Sequence, residues 1–118
     1  MQLSIKTLLT AMTAISAVSA ATRPKANEYK DTQCSNLNYG HNSFELRDVT
    51  MDDTSNSVYV THGARPDGVR RWFLAYSGKT SNGGSCNGDR LGTSPEGCVN
   101  LNTAFPGRRI KCLRSIEG

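Results

Sequence analysis

Short runs of alternating apolar and polar residues, separated by turn residues, make up most of the chain after position 43. Residues 69–77 (VRRWFLAYS) alternate most clearly, and residues 57–62 (SVYVTH) are rich in β-branched and aromatic side chains, so both predict strands. Shorter strands are predicted at 44–51, with a bulge near Asp48, and at 89–93, 98–103 and 108–116. No segment after position 20 shows a helical period. The pattern therefore predicts an all-β fold of about six strands, a small antiparallel barrel or sandwich.

The first twenty residues follow a different pattern. Residues 1–6 begin the chain with a positive charge, and residues 7–18 (TLLTAMTAISAV) are apolar and uncharged. Small residues at Val18-Ser19-Ala20 then resemble a cleavage site, so residues 1–20 are predicted to be a secretory signal peptide. The apolar stretch is shorter than the ~20 residues that a membrane-spanning helix needs. We therefore expect a secreted, extracellular protein without integral membrane insertion.

Two parts of the exported chain lack a strand pattern. Residues 21–33 (ATRPKANEYKDTQ) are polar and aperiodic, which predicts a flexible N-terminal arm. Residues 78–88 (GKTSNGGSCNG) are rich in glycine, which predicts a long loop. The remainder, residues 34–118, is expected to be a single β domain stabilised by disulfides.

The cysteines form an even set of four: Cys34, Cys86, Cys98 and Cys112. In an oxidising compartment they predict two disulfides, each contributing ~2–4 kcal/mol to stability. Cys98 and Cys112 lie symmetrically about Phe105, so a hairpin of the last two strands would pair Cys98 with Cys112 and leave Cys34 for Cys86. Links from Cys34 to Cys98 or Cys112 would close larger loops and remain open. No metal or other cofactor is expected, because the chain has no C-x-x-C pair and no closely spaced histidine pair.

Basic residues concentrate in the second half of the chain. Residues 65–118 contain nine basic and four acidic side chains, but the chain after position 20 has a net charge of only +3. Because that charge is small for a dedicated nucleic-acid binder, nucleic acid is an unlikely partner. Arg108, Arg109, Lys111 and Arg114 form a basic stripe that could contact phosphate, acidic polysaccharide or anionic lipid. Alternatively, these charges protect an edge strand against aggregation.

Trp72 and Tyr76 fall on the same face of the strand predicted at 69–77, with Leu74 between them. Aromatic side chains at strand spacing usually belong to the core, which is the interpretation we favour. The alternative is a platform on which a sugar or another ligand stacks.

Candidate catalytic side chains are few. His41, Glu45, His62 and Arg71 are of the types that small secreted fungal ribonucleases use, and the predicted strands could bring Glu45, His62 and Arg71 together. Their spacing matches no ribonuclease motif, and the chain contains no G-x-S-x-G, H-E-x-x-H or P-loop sequence. We therefore expect a protein that is not an enzyme, with a ribonuclease as an alternative.

Three segments carry a resemblance to a known group: CNGDRLG from Cys86, GCVNL from Gly97, and PGRRIKC ending at Cys112. With them the chain resembles the small secreted four-cysteine proteins of filamentous fungi, some of which act as effectors or elicitors of plant responses, including those of root-colonising Trichoderma. The resemblance covers roughly residues 34–116. It implies a compact β-barrel-like domain with two disulfides, possible homodimers and no established enzymatic site.

The resulting expectation is a secreted, non-catalytic effector-like protein that binds a host or cell-wall component. A cationic antimicrobial or killer-type toxin is an alternative, although the modest charge and the lack of an amphipathic helix argue against it.

Overall fold

Two antiparallel sheets of four strands each make up the fold in the computed structural model, which describes residues 21–118. The predicted signal peptide at 1–20 lies outside the described residues. The strands, in chain order, are β1 (Lys25–Tyr29), β2 (Leu37–Tyr39), β3 (Asp48–Thr50), β4 (Ser57–Thr61), β5 (Arg71–Lys79), β6 (Cys86–Thr93), β7 (Gly97–Asn100) and β8 (Cys112–Glu117). The first sheet has the order β2-β1-β4-β7 and the second has the order β3-β8-β5-β6. Over residues 21–118 the predicted all-β sandwich is confirmed, with eight strands and no closed barrel.

The core lies between the two sheets and is built from alternate residues of their strands. Each strand turns one set of side chains inward because successive side chains point to opposite faces. The inward strand residues are apolar and at most 3% exposed: Ala26, Val49, Val58, Val60, Phe73, Ala75, Val99 and Leu113. Met51, Leu101 and Ile110, from segments next to the strands, complete the core. Burying a side chain such as Phe73 contributes about 1.5–3 kcal/mol. This shared core, rather than a covalent link, joins the two sheets.

The predicted flexible arm at 21–33 is wrong, because it contains an interior strand. β1 lies between β2 and β4 and pairs with β4 from Lys25↔Thr61 to Tyr29↔Ser57. Its inward residues are Ala26 and Glu28, both buried. Because one of the two inward residues is a glutamate, the sequence of β1 does not alternate between apolar and polar residues. The segment therefore resembles a polar arm rather than a strand.

The predicted hairpin of the last two strands is also wrong. β7 pairs with β4 in the first sheet, whereas β8 lies between β3 and β5 in the second. The chain does fold back between them, where the Ile110 amide donates to the Leu101 carbonyl at 2.9 Å. Beyond that point the two segments diverge, so Cys98 and Cys112 end in different sheets.

Because Cys98 and Cys112 lie in different sheets, each bonds to a cysteine in or next to its own sheet. The bonds are Cys34–Cys98 and Cys86–Cys112, with Cα–Cα distances of 5.9 and 5.2 Å. The predicted pairing of Cys34 with Cys86 and Cys98 with Cys112 is therefore wrong, and a link that had been left open, Cys34–Cys98, is the one present. No free cysteine remains among the described residues.

Each disulfide fastens an edge strand within its own sheet. Cys34 follows β1, and its bond passes β4 to reach β7 at one edge of the first sheet. Cys86 on β6, the edge of the second sheet, bonds past β5 to Cys112 on β8. Edge strands have a single neighbour, so the bonds act where hydrogen bonding is weakest.

The predicted loop at 78–88 is shorter than expected, because β5 continues to Lys79 and β6 starts at Cys86. The end of this hairpin bends across the sheet toward β3: the Gly83 amide donates to Thr50 Oγ1 at 2.7 Å. The pairing of β5 with β6 is irregular, and Gly88 permits it by adopting a φ of 77°. A Cβ at this position would also lie 2.8 Å from Ser77 Oγ, which is too close. The glycines therefore shape a bent hairpin.

The strand predicted at 44–51 is present only as β3, and residues 44–47 are irregular. The guanidinium of Arg71 donates to the Phe44 carbonyl at 3.0 Å and to the Leu46 carbonyl at 3.4 Å. A side chain thus satisfies carbonyl groups that a neighbouring strand would otherwise bond.

The turn that carries Cys34 is organised by Asp31, whose carboxylate accepts hydrogen bonds from Ser35 and from the Asn36 amide at 3.0 Å. These bonds favour the ionised form and lower the pKa of Asp31 from 3.8 to about 2, with the Ser35 hydroxyl as the largest cause.

Acid should therefore weaken the fold through Asp31. Because its pKa is lower in the folded than in the unfolded chain, its contribution to stability is present above pH 3.8 and is lost as the pH falls toward about 2. Urea unfolding at a series of pH values should show a smaller loss across this window for Asp31→Asn than for the wild type. An NMR titration of the Asp31 carboxyl with a midpoint near 3.8 would contradict this explanation.

Candidate functional site

The outer face of the second sheet combines aromatic and arginine side chains. Trp72 and Tyr76 point to this face from β5, opposite Ile116 and Cys112 of β8, while Phe73 points into the core. Both aromatic side chains are partly exposed. Our interpretation of Trp72 and Tyr76 as core residues is therefore wrong, because β5 carries apolar residues on both faces and the smaller pair, Phe73 and Ala75, points inward.

An arginine lies over each of these aromatic rings. Arg70 lies 5.7 Å from the centre of the Trp72 ring, and Arg114 lies 5.0 Å from that of Tyr76. Arg90 on β6 is opposite Tyr76 and so shares its face. We call this set, Arg70, Trp72, Tyr76, Arg90 and Arg114, the arginine–aromatic face.

The arginines of this face differ in how firmly they are held. Arg114 binds Asp48 through two hydrogen bonds of 2.8 and 2.9 Å. The Arg114 guanidinium lowers the pKa of Asp48, and Asp48 raises the pKa of Arg114. Within residues 21–118, Arg70 and Arg90 make no ion pair with a carboxylate. Two positive charges on this face are therefore available to an anionic ligand.

The basic stripe predicted near the C-terminus is divided in the structure, and only Arg114 joins the arginine–aromatic face. Arg108 pairs with Asp89 at 2.8 Å, and Lys111 is exposed. Arg109 donates to the Ser55 carbonyl at 2.6 Å and to Asn102, so it holds loops together. The division arises because the strand begins only at Cys112, so the preceding residues do not alternate along it.

The four candidate catalytic side chains do not converge. His62 lies in a cavity with Glu96, and its Nδ1 accepts a hydrogen bond from the Phe73 amide at 3.1 Å. Glu45 is not on a strand and lines a different cavity with Arg71. His41 lies in a third cavity. The structure therefore does not assemble the site that the residue types suggested.

His41 instead pairs with a buried carboxylate, Glu28, which was not among the candidate residues. Glu28 is 2% exposed, and one of its oxygens lies 2.6 Å from His41 Nε2. The other oxygen accepts from the Asp52 amide at 2.6 Å and from Ser55 Oγ at 2.7 Å. A buried carboxylate needs such donors, because burying it without them is costly. One feature of the sequence could have indicated this burial: Pro24, Ala26 and Glu28 are spaced two residues apart, so in a strand all three would point to the same side.

A cavity of about 300 Å³ opens beside this pair, where the two sheets meet the bent β5–β6 hairpin. We call it the Glu28–His41 cavity. Its walls come from both sheets and from the hairpin, and its lining residues are Glu28, Tyr39, His41, Thr50, Asp52, Asn82 and Gly83.

Comparison with protein-family models, with curated proteins and with solved structures finds no match to this chain. Within residues 21–118, no group of three or more His, Cys, Asp or Glu side chains is placed to hold a metal ion. The same part of the chain contains no helix long and apolar enough to cross a membrane.

Proposed function

We propose that this chain is a secreted, non-catalytic binding protein whose arginine–aromatic face binds an anionic polysaccharide of a host surface or cell wall. The observation that supports this proposal is the pair of partly exposed rings, Trp72 and Tyr76, each with an arginine lying over it. The guanidinium groups bind carboxylate or sulfate, and sugar C–H groups pack on the part of each ring that its arginine leaves exposed.

The ligand is proposed to be a polymer because of the distance between the two rings. Trp72 and Tyr76 are four residues apart on one strand, so they are separated by about 13 Å at ~3.3 Å per residue. A single sugar ring cannot contact both, whereas a chain of several rings can. The unpaired charges of Arg70 and Arg90 lie along the same face and favour an acidic chain over a neutral one.

The secreted, effector-like part of the proposal has separate support. Two disulfides in a domain of this size are compatible with an extracellular protein. The resemblance to small secreted four-cysteine fungal proteins supports an extracellular partner and a role in the response of a host plant.

Trp72 gives a direct test, because it is the one tryptophan of the chain and lies in the proposed site. We expect polygalacturonate to change its fluorescence in a saturable way, and neutral dextran to leave it unchanged. Binding should weaken when NaCl is raised from about 0.05 M to about 0.5 M, because screening shortens the range of charge interactions. Changing Arg70 and Arg90 together to alanine should weaken binding roughly tenfold.

A matched control is Arg23→Ala, because Arg23 also lies over an aromatic ring, 5.6 Å from the centre of Phe44, outside the proposed face. It should bind polygalacturonate as the wild type does. Equal binding of dextran, or an equal loss from the Arg23 change and the Arg70 and Arg90 changes, would contradict the proposal. Cleavage of RNA, or leakage of anionic vesicles at similar protein concentrations, would support the ribonuclease or the toxin instead.

A further inference from the structure

The Glu28–His41 cavity contains hydrogen-bonding groups that the fold does not use. Within residues 21–118, no partner is present for His41 Nδ1, the Tyr39 hydroxyl or the Asn82 amide nitrogen, although His41 Nε2 and Asn82 Oδ1 are both bonded. These groups combine donors and acceptors in one small space. Such a mixture suits a ligand that carries several hydroxyl groups, because each hydroxyl both donates and accepts.

The charge in and around this cavity is negative. Glu28 and Asp52 line it, and the nearby Lys79 is paired with Asp53 at 3.0 Å, so its charge is compensated. The field in the cavity therefore favours a cationic ligand and disfavours an anionic one, opposite to the arginine–aromatic face.

The size of the cavity limits the ligand to about one ring. Its volume of about 300 Å³ is at the lower end of the range for small-molecule sites. Tyr39, 51% exposed, provides an aromatic wall on which the C–H face of a ring can pack.

We propose that the Glu28–His41 cavity binds an amino sugar, a single ring with several hydroxyl groups and one amine. The buried Glu28 fixes the ring of His41 through Nε2, so that Nδ1 is left to form a hydrogen bond with a ligand hydroxyl. The Asn82 amide donates to a second ligand oxygen, and the ammonium group lies toward Asp52. This site is separate from the arginine–aromatic face and does not depend on its proposed function.

Three sugars that share one ring and differ in charge test the proposal. Glucosamine, glucose and glucuronate are titrated into isotope-labelled protein at neutral pH, and NMR signals of His41, Tyr39 and Asn82 are followed. We expect saturable shifts with glucosamine, binding at least fivefold weaker for glucose, and no shift with glucuronate. The Asp52→Asn variant should remove the preference for glucosamine over glucose.

Tyr39→Ala should weaken glucosamine binding at least fivefold, and Leu37→Ala is the matched control. Leu37 lies on the same edge strand and is 57% exposed, but it pairs with Tyr29 rather than with Glu28. The proposal would be overturned if none of the three sugars shifts the His41 signals, or if glucuronate binds as tightly as glucosamine. An equal effect of the Leu37 and Tyr39 changes on glucosamine binding would also overturn it.

Discussion

Replacing Cys34 and Cys98 together with alanine is expected to lower the free energy of unfolding by about 4 kcal/mol. The bond joins residues 64 positions apart, so its loss restores much of the conformational entropy of the unfolded chain. It also releases β7, an edge strand of four residues that pairs with β4. Urea unfolding, monitored by circular dichroism, measures the loss.

The second disulfide provides the comparison. Cys86 and Cys112 are 26 positions apart, so the same entropy argument gives a loss of about 3.5 kcal/mol for their double alanine variant. A domain of this size is stable by about 5–15 kcal/mol, so either change removes a large share. A loss below about 1 kcal/mol for the Cys34 and Cys98 change would contradict the view that this bond holds the edge of the first sheet.

Replacing Glu28 with leucine should lower the free energy of unfolding by about 3 kcal/mol, because unsatisfied buried hydrogen-bond donors cost ~1–3 kcal/mol each. Leucine fills similar space but leaves the buried Ser55 hydroxyl, the partly buried Asp52 amide and the partly exposed His41 without their acceptor. Unpaired buried donors retain their full desolvation penalty. Thermal and urea unfolding of the variant provide the measurement.

Two further variants separate the hydrogen bonds from other effects of the Glu28 change. Glu28→Gln keeps one oxygen acceptor and should lose less than Glu28→Leu. Glu45→Leu, at an exposed position, should change stability by less than about 0.5 kcal/mol. If Glu28→Leu were as stable as the wild type, the hydrogen bonds at Glu28 would not be needed for the fold.

The two disulfides should affect the proposed binding surfaces differently. Cys112 is opposite Tyr76, and Arg114 lies 3.5 Å from the Cys86 carbonyl, so the second disulfide borders the arginine–aromatic face. The first disulfide lies in the other sheet. Loss of Cys86–Cys112 should therefore disturb this face more than loss of Cys34–Cys98 does.

The class of the fold could be predicted from the sequence because strand alternation is a local property. The segments with the clearest pattern, 57–62 and 69–77, contain β4 and most of β5. β1 was missed for a physical reason: its inward Glu28 is satisfied by groups from distant parts of the chain, which no local pattern reveals.

The disulfide pairing and the grouping of the site residues depend on contacts between segments that are distant in the sequence. Whether Cys98 faces Cys112 depends on which sheet each strand joins, and that is decided by packing across the whole core. Likewise, Trp72 and Phe73 are both suited to the core, and only the assembled sheet determines which of them points inward. Residue types were therefore identified from the sequence, but their grouping was not.

Peptide mapping of the non-reduced protein by mass spectrometry tests the central structural claim most directly. We expect two cross-linked peptide pairs, one that joins Cys34 to Cys98 and one that joins Cys86 to Cys112. Peptides that join Cys34 to Cys86 and Cys98 to Cys112 would contradict it, because each of those bonds would link one sheet to the other, whereas each observed bond lies within a single sheet.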